Sequence, residues 1–126
     1  MTGASERPRS AQTAADVADD LAGLGPVTLG RFFGGVGLRL EDVQFGFVMK
    51  SSVYLRVDDA TRPTFEQFGG RPFQYQANGR TVTVSSYYDV PHPAREDPAK
   101  LVDLARQAND VARAARRGRS SVKSWT

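Results

Sequence analysis

The segment Arg31-Phe32-Phe33-Gly34-Gly35-Val36-Gly37-Leu38 constrains the fold more than any other part of this chain. Two aromatics run into three glycines within four positions, and an apolar alternation resumes directly afterwards. Glycine is favoured where φ is positive or where a second backbone comes close. Inside a strand pattern it marks a bulge or a bend. The segment therefore predicts a forced bend between two strands, with Arg31, Phe33, Gly34, Gly35 and Gly37 as its structural motif.

The flanking sequence fills in a layered pattern. Ala14, Val17, Ala18, Leu21 and Leu24 recur at helical spacing behind a Thr13/Asp16 capping pattern, and Gly25-Pro26 ends that first helix. From Val27 the period changes to two. Leu38 and Leu40 alternate with Arg39, and Glu41-Asp42 forms a polar turn. Val43, Phe45, Phe47 and Met49 are then expected on one face of the next strand, and Val53, Leu55 and Val57 on one face of another. Asp58 to Thr61 starts a short helix containing Pro63, Phe65 and Phe68, stopped by Gly69-Gly70. Asn78-Gly79 between alternating runs predicts a hairpin, because both central residues of a type I′ turn need positive φ. The Pro91-His92-Pro93 bracket is expected to forbid helix. Asp97-Pro98 caps a final helix with the stripe Leu101, Leu104, Ala105, Ala108, Val111, Ala112 and Ala115, and Gly118 is expected to end it.

These elements predict an α+β, two-layer domain. Its antiparallel sheet of about five to six strands is flanked by an N-terminal helix, a short middle helix and a long C-terminal helix. The chain has 126 residues and seven phenylalanines, enough for one core. Residues 13–117 are expected to form the domain, with residues 1–12 as a flexible N-terminal tail and 118–126 as a flexible basic C-terminal tail. The absence of cysteine excludes a disulfide framework, a thiolate zinc site and a thiol nucleophile. Met1 to Gln12 lacks the apolar stretch of a signal peptide, and no run approaches a membrane span of roughly 18 residues. A soluble, cytoplasmic protein without membrane contact is expected.

The net charge of +3 is unevenly placed. Residues 13–105 hold nine Lys/Arg against twelve Asp/Glu, a net of −3. Residues 106–126 hold six Lys/Arg against Asp110, a net of +5. Arg106, Arg113, Arg116, Arg117 and Arg119 are therefore the candidate contacts to a partner protein or a nucleic-acid backbone. The plainer account of these arginines is that cations near a helix C-terminus stabilise the helix itself. Tyr87 and Tyr88 are candidate surface aromatics for base stacking, although tyrosines at a strand end commonly belong to the core. Trp125 is a further candidate anchor for a partner.

No catalytic constellation stands out. The glycine-rich segment has neither Walker nor dinucleotide-fingerprint spacing, so no cofactor is expected. The sole histidine, His92, lies between two prolines with no ligand cluster around it, so no metal site is expected. Ser85-Ser86 lack a nucleophile elbow, and no spacing singles out a pair of carboxylates.

Several longer words resemble the N-terminal domain of the TfoX/Sxy family of bacterial competence regulators. They are Arg31 to Leu38, Phe45-Gly46-Phe47-Val48, Val53-Tyr54-Leu55-Arg56-Val57-Asp58-Asp59, Pro72-Phe73-Gln74-Tyr75 and Tyr87-Tyr88-Asp89-Val90-Pro91. Their order covers about residues 14–115. The sequence departs from the family pattern at Phe32, where methionine is usual, and at Val36, where an aromatic is frequent. Full-length regulators also carry a second, C-terminal domain. The resemblance implies a fold similar to that of secretion chaperones and a role in gene regulation. The expected function is thus a non-enzymatic protein-interaction module or transcriptional accessory factor; the sequence does not name its protein partner, for which the transcription machinery is one candidate. Direct nucleic-acid binding through the Arg-rich helix is the alternative, and an enzyme or small-molecule binder the second alternative. Pairing into a homodimer is a further expectation.

Overall fold

The computed structural model describes the backbone of residues 2–124 and the side chains of residues 10–117. Among the described residues, four helices and six strands follow in the order α1 (Thr2–Asp20), β1 (Thr28–Phe32), β2 (Gly35–Leu40), β3 (Val43–Met49), β4 (Ser52–Arg56), α2 (Arg62–Gln67), β5 (Pro72–Ala77), β6 (Arg80–Asp89), α3 (His92–Arg95) and α4 (Pro98–Ser124). The strands form one antiparallel sheet in the order β1-β2-β3-β4-β6-β5. This is the two-layer α+β architecture the sequence predicts.

Four hairpins close on two-residue loops, and this length makes the sheet a tight meander. Phe33-Gly34 (φ 47 and 85), Glu41-Asp42 (φ 51 and 67) and Asn78-Gly79 (φ 53 and 75) all place two consecutive residues at positive φ. That backbone has the hand that matches the twist of the flanking strands. In the fourth loop, Lys50-Ser51, Lys50 is left-handed (φ 59).

α1 and α4 cover one face of the sheet. Ala14, Val17 and Leu21 of α1 and Leu101, Leu104, Ala105, Ala108 and Ala112 of α4 are buried against Leu38, Leu40, Phe45, Val48, Val53, Leu55 and Val57. Val43, Phe65 of α2, Tyr88 of β6, Val90 and Ala94 of α3 complete this core. Asp97 caps α4 by accepting the backbone N–H groups of Ala99 (3.1 Å) and Lys100 (3.3 Å). Ser10 in α1 donates to the carbonyl of Lys50 (3.1 Å), tying that helix to the β3–β4 turn.

Local expectations are corrected in four places. The first helix starts at Thr2, not at Thr13, and Thr13 is buried inside it. The apparent capping residues there are an interior pair, with Asp16 accepting from Gln12 (3.1 Å). The final helix passes through Gly118 to Ser124, since an interior glycine weakens a helix by only about 1 kcal/mol and need not end it. His92–Arg95 is helical despite its prolines. Pro91 sits at the cap, where an extended φ/ψ is required, and Pro93 lies in the first turn, where no N–H is needed.

The fourth correction matters most for the site. Phe45 and Phe47 do not share a face. Leu38 pairs with Gly46 but Arg39 pairs with Gln44, so Phe45 is an extra residue in β3. This β-bulge shifts the alternation by one position. Val43 and Phe45 face the helices, whereas Phe47 and Met49 face the opposite side, and Val48 joins the helix-covered core.

Candidate functional site

The face of the sheet turned away from the helices is aromatic. Once the bulge has moved Phe47 there, three further features gather rings around it. The first is Gly37 on β2, whose missing side chain leaves a gap bordered by Gln44 and Phe32. A Cβ on Gly37 would lie 2.7 Å from Gln44 Oε1 and 3.6 Å from Phe32 Cβ. Across that gap Phe32 of β1 reaches Phe47 of β3, with ring centroids 4.7 Å apart although β2 runs between them.

The second feature is a register break in the β5–β6 hairpin. Pro72 pairs with Tyr88, yet Phe73 pairs with Val84, which leaves Ser85, Ser86 and Tyr87 of β6 without a partner on β5. The hairpin bends as a result. β5 lies three strands from β3, so a flat sheet would hold their side chains about 14 Å apart at about 4.8 Å per strand. The Phe73 and Phe47 centroids are instead 5.0 Å apart, edge to face. Tyr54 stacks on Phe47 at 5.0 Å, Tyr87 meets it at 5.1 Å, and Phe73 stacks on Tyr75 at 5.9 Å.

The third feature is Phe33 at the tip of the β1–β2 hairpin. Its ring packs edge-on against Phe32 (4.8 Å) and is otherwise 87% exposed. Tyr75, on the opposite rim, is 45% exposed. Between these rims lies a half-open groove of about 480 Å³, lined by Phe32, Phe33, Phe47, Met49, Phe73, Tyr75, Val84 and Tyr87. Among the described residues, no charged side chain lines it. At the margin, Arg56 lies over the Tyr87 ring, 5.5 Å from its centroid. Burial, followed by the charge of Asp89, raises the pKa of the Tyr54 phenol, so this ring stays neutral.

The sequence candidates fall in different places. Phe33 joins the groove, while Gly34, Gly35 and Arg31 line a shallow depression of about 270 Å³ beside Ser10 and Val36. Tyr87 belongs to the aromatic face. Tyr88, one residue on, points the other way: it is 5% exposed, and its hydroxyl donates to Glu66 Oε2 (2.9 Å). Burial and this bond raise its pKa.

The arginines of α4 are partly committed to the fold. Arg113 pairs with Glu41 (2.8 Å), and Arg116 donates to the carbonyl of Asp42 (3.3 Å), docking α4 on the β2–β3 turn. Arg106 and Arg117 are exposed. The Arg119 side chain and Trp125 lie outside the described residues. His92 is exposed, with Nδ1 3.8 Å from Glu96 Oε1. Among the described residues, no three His, Asp or Glu side chains come together as a metal site would require. No helix of the described residues is long and apolar enough to cross a membrane.

Sequence reasoning missed the groove. The alternation of Phe73, Tyr75 and Ala77 with Gln74 and Gln76 was a signal for an apolar hairpin face, but it did not say which side of the sheet that face joins.

Fold and surface together define a two-layer α+β domain with one face sealed by helices and the other open and aromatic. Residues 19–112 match the TfoX N-terminal domain family, and the chain belongs to that family. It is similar to the DNA transformation protein TfoX1 of Aliivibrio fischeri, with 32% identity over 101 residues, covering 76% of this chain and 48% of that protein. It is also similar to the Crh-like protein CRH11 of Candida albicans, with 33% identity over 82 residues, covering 60% of this chain and 18% of that protein. The chain thus spans about half the length of the first relative and under a fifth of the second.

Proposed function

We propose that this chain is a non-enzymatic regulatory domain that works by protein–protein contact, as an accessory factor in the cytoplasmic control of gene expression. The observation that carries this reading is the open aromatic face with its groove of about 480 Å³. Aromatic residues are enriched where proteins bind one another, and contiguous exposed apolar surface of this kind marks an interaction site. The similarity to a protein named for DNA transformation supports a regulatory setting.

The test uses cells of the source organism expressing the tagged chain, either unaltered or carrying Phe33→Asp and Tyr75→Asp. Both positions are exposed, so circular dichroism should be unchanged. A defined set of proteins should be recovered with the unaltered chain and lost with the double variant. Arg106→Gln with Arg117→Gln should leave that set intact.

Arg106 and Arg117, exposed on α4, favour a second reading, direct contact with nucleic-acid phosphates. On that reading, duplex DNA is retained at low salt, with a log-linear salt dependence whose slope falls in the Arg106→Gln/Arg117→Gln variant. That result, together with an unchanged protein set in the Phe33→Asp/Tyr75→Asp variant, would overturn the protein-contact reading.

A further inference from the structure

We propose that the aromatic face is a self-complementary interface and that its occupant is a second copy of this chain, with Phe33 of each copy seated in the groove of the other. The proposal rests on reading this face as a contact surface, and it names the partner.

The face carries its own knob beside its own hole. Phe33 projects from the hairpin tip at one rim of the groove, with most of its ring in solvent. A two-fold axis through such a face brings knob i against hole j and knob j against hole i, which is the geometry of a closed, isologous dimer. The groove, at about 480 Å³, is far roomier than a single apolar ring demands, and it is lined without charge, as a phenyl ring requires.

The choice of residue at the tip points the same way. Phe33 holds φ 47, a conformation that suits Asn, Asp or Gly and is strained for a bulky side chain. Phenylalanine is thus poorly placed for the turn and poorly placed for solvent. Burial of the ring by another molecule removes the second defect and offsets the cost of the first. A strained, exposed residue of this kind is a basis for inferring function.

The available area is of the right order. A whole aromatic side chain offers about 200 Å², so Phe33 at 87% and Tyr75 at 45% together leave on the order of 250 Å² open. Phe32, Tyr54, Phe73, Val84, Tyr87 and Met49 are each partly exposed around them. A stable interface buries roughly 800 Å² per partner, so these two rings supply about a third of it and the remainder falls to the surrounding rings and their polar rim.

Sedimentation velocity of the full chain between 1 and 200 μM tests the proposal, with Phe33→Asn and Tyr75→Arg as variants and Arg106→Gln as a distant control. The unaltered chain and the control should sediment as dimers. Phe33→Asn should raise the dissociation constant at least tenfold while leaving the monomer as stable or more stable, because Asn before Gly34 is the favoured turn pair. That opposition of sign is not expected of a residue with only a structural role. Tyr75→Arg should dissociate the dimer as well.

A chain that stays monomeric at 200 μM overturns the proposal. So does a dimer indifferent to both variants, which would be built on another surface. If the monomer still recovers other proteins from cells through Phe33 and Tyr75, the second copy is excluded while the contact reading stands. If neither a dimer nor recovered proteins are found, both fail.

Discussion

A methyl group on Gly35 would collide with the carbonyl oxygen of Val48 on the neighbouring strand, and one on Gly46 would collide with that of Tyr54. These glycines are needed for close approach of backbones and not for a positive φ, which in the same segment belongs to Phe33 and Gly34. Gly35→Ala should therefore destabilise the domain by about 1–3 kcal/mol, the usual cost of overpacking a site that cannot yield. Urea unfolding followed by tryptophan-independent far-ultraviolet dichroism measures it. Tyr88 makes a different kind of demand. Its ring fills core space while its hydroxyl reaches Glu66 at the surface. Tyr88→Phe should keep the packing and lose about 0.5–1.5 kcal/mol for the hydrogen bond. The Arg-rich end was legible as charge, but charge alone could not show that Arg113 and Arg116 have protein partners. Glu41, the partner of Arg113, is separated from it by 72 positions and lies on a turn.

At the scale of elements, each short loop has a mechanism. Asp58 Oδ1 accepts N–H bonds from Ala60 (3.0 Å) and Thr61 (2.9 Å), and its own N–H donates to Thr61 Oγ1 (3.0 Å). The backbone bond from Thr61 is the main cause that lowers its pKa below the usual carboxylate value, with further bonds adding to it. A depressed pKa stabilises the fold where the carboxylate is ionised in both states. The contribution is thus present above the ordinary value of about 3.9 and is lost as pH falls through the lower folded value. Asp58→Ala should cost about 1 kcal/mol at neutral pH, the usual net worth of such a hydrogen bond. The gap between variant and parent should close below about pH 4, as seen in thermal melts at a series of pH values. The hairpin at Asn78-Gly79 and the cap at Asp97 were both legible, because a local backbone conformation selects those residue types directly. The bulge at Phe45 was not. Whether a strand carries one extra residue depends on its partner's register, and Phe45 and Phe47 are the same residue type at a spacing that alternation alone assigns to one face.

For the molecule as a whole, the two faces of the sheet should respond to very different degrees to loss of an apolar side chain. Leu104 is 1% exposed in the helix-covered core. Leu104→Ala should cost about 2–5 kcal/mol, the transfer energy plus the cavity left behind. Tyr75→Ala on the open face should change monomer stability by about 0.5 kcal/mol or less, as surface substitutions do. Parallel denaturant titrations at low protein concentration make the comparison. Equal losses would mean that the aromatic face belongs to the monomer's own core and is not a contact surface.

The sequence by itself determined the α+β class, the antiparallel order, most of the turns and the residues of the helix-covered core, because each depends on a local period or a local φ. Only the tertiary structure decided which phenylalanines meet across strands, that the β5–β6 hairpin bends over the open face, and that two of the α4 arginines are held by the β2–β3 turn. Those outcomes depend on register between segments far apart in the chain. A shift of one residue moves a side chain from one face of a sheet to the other without changing any local preference.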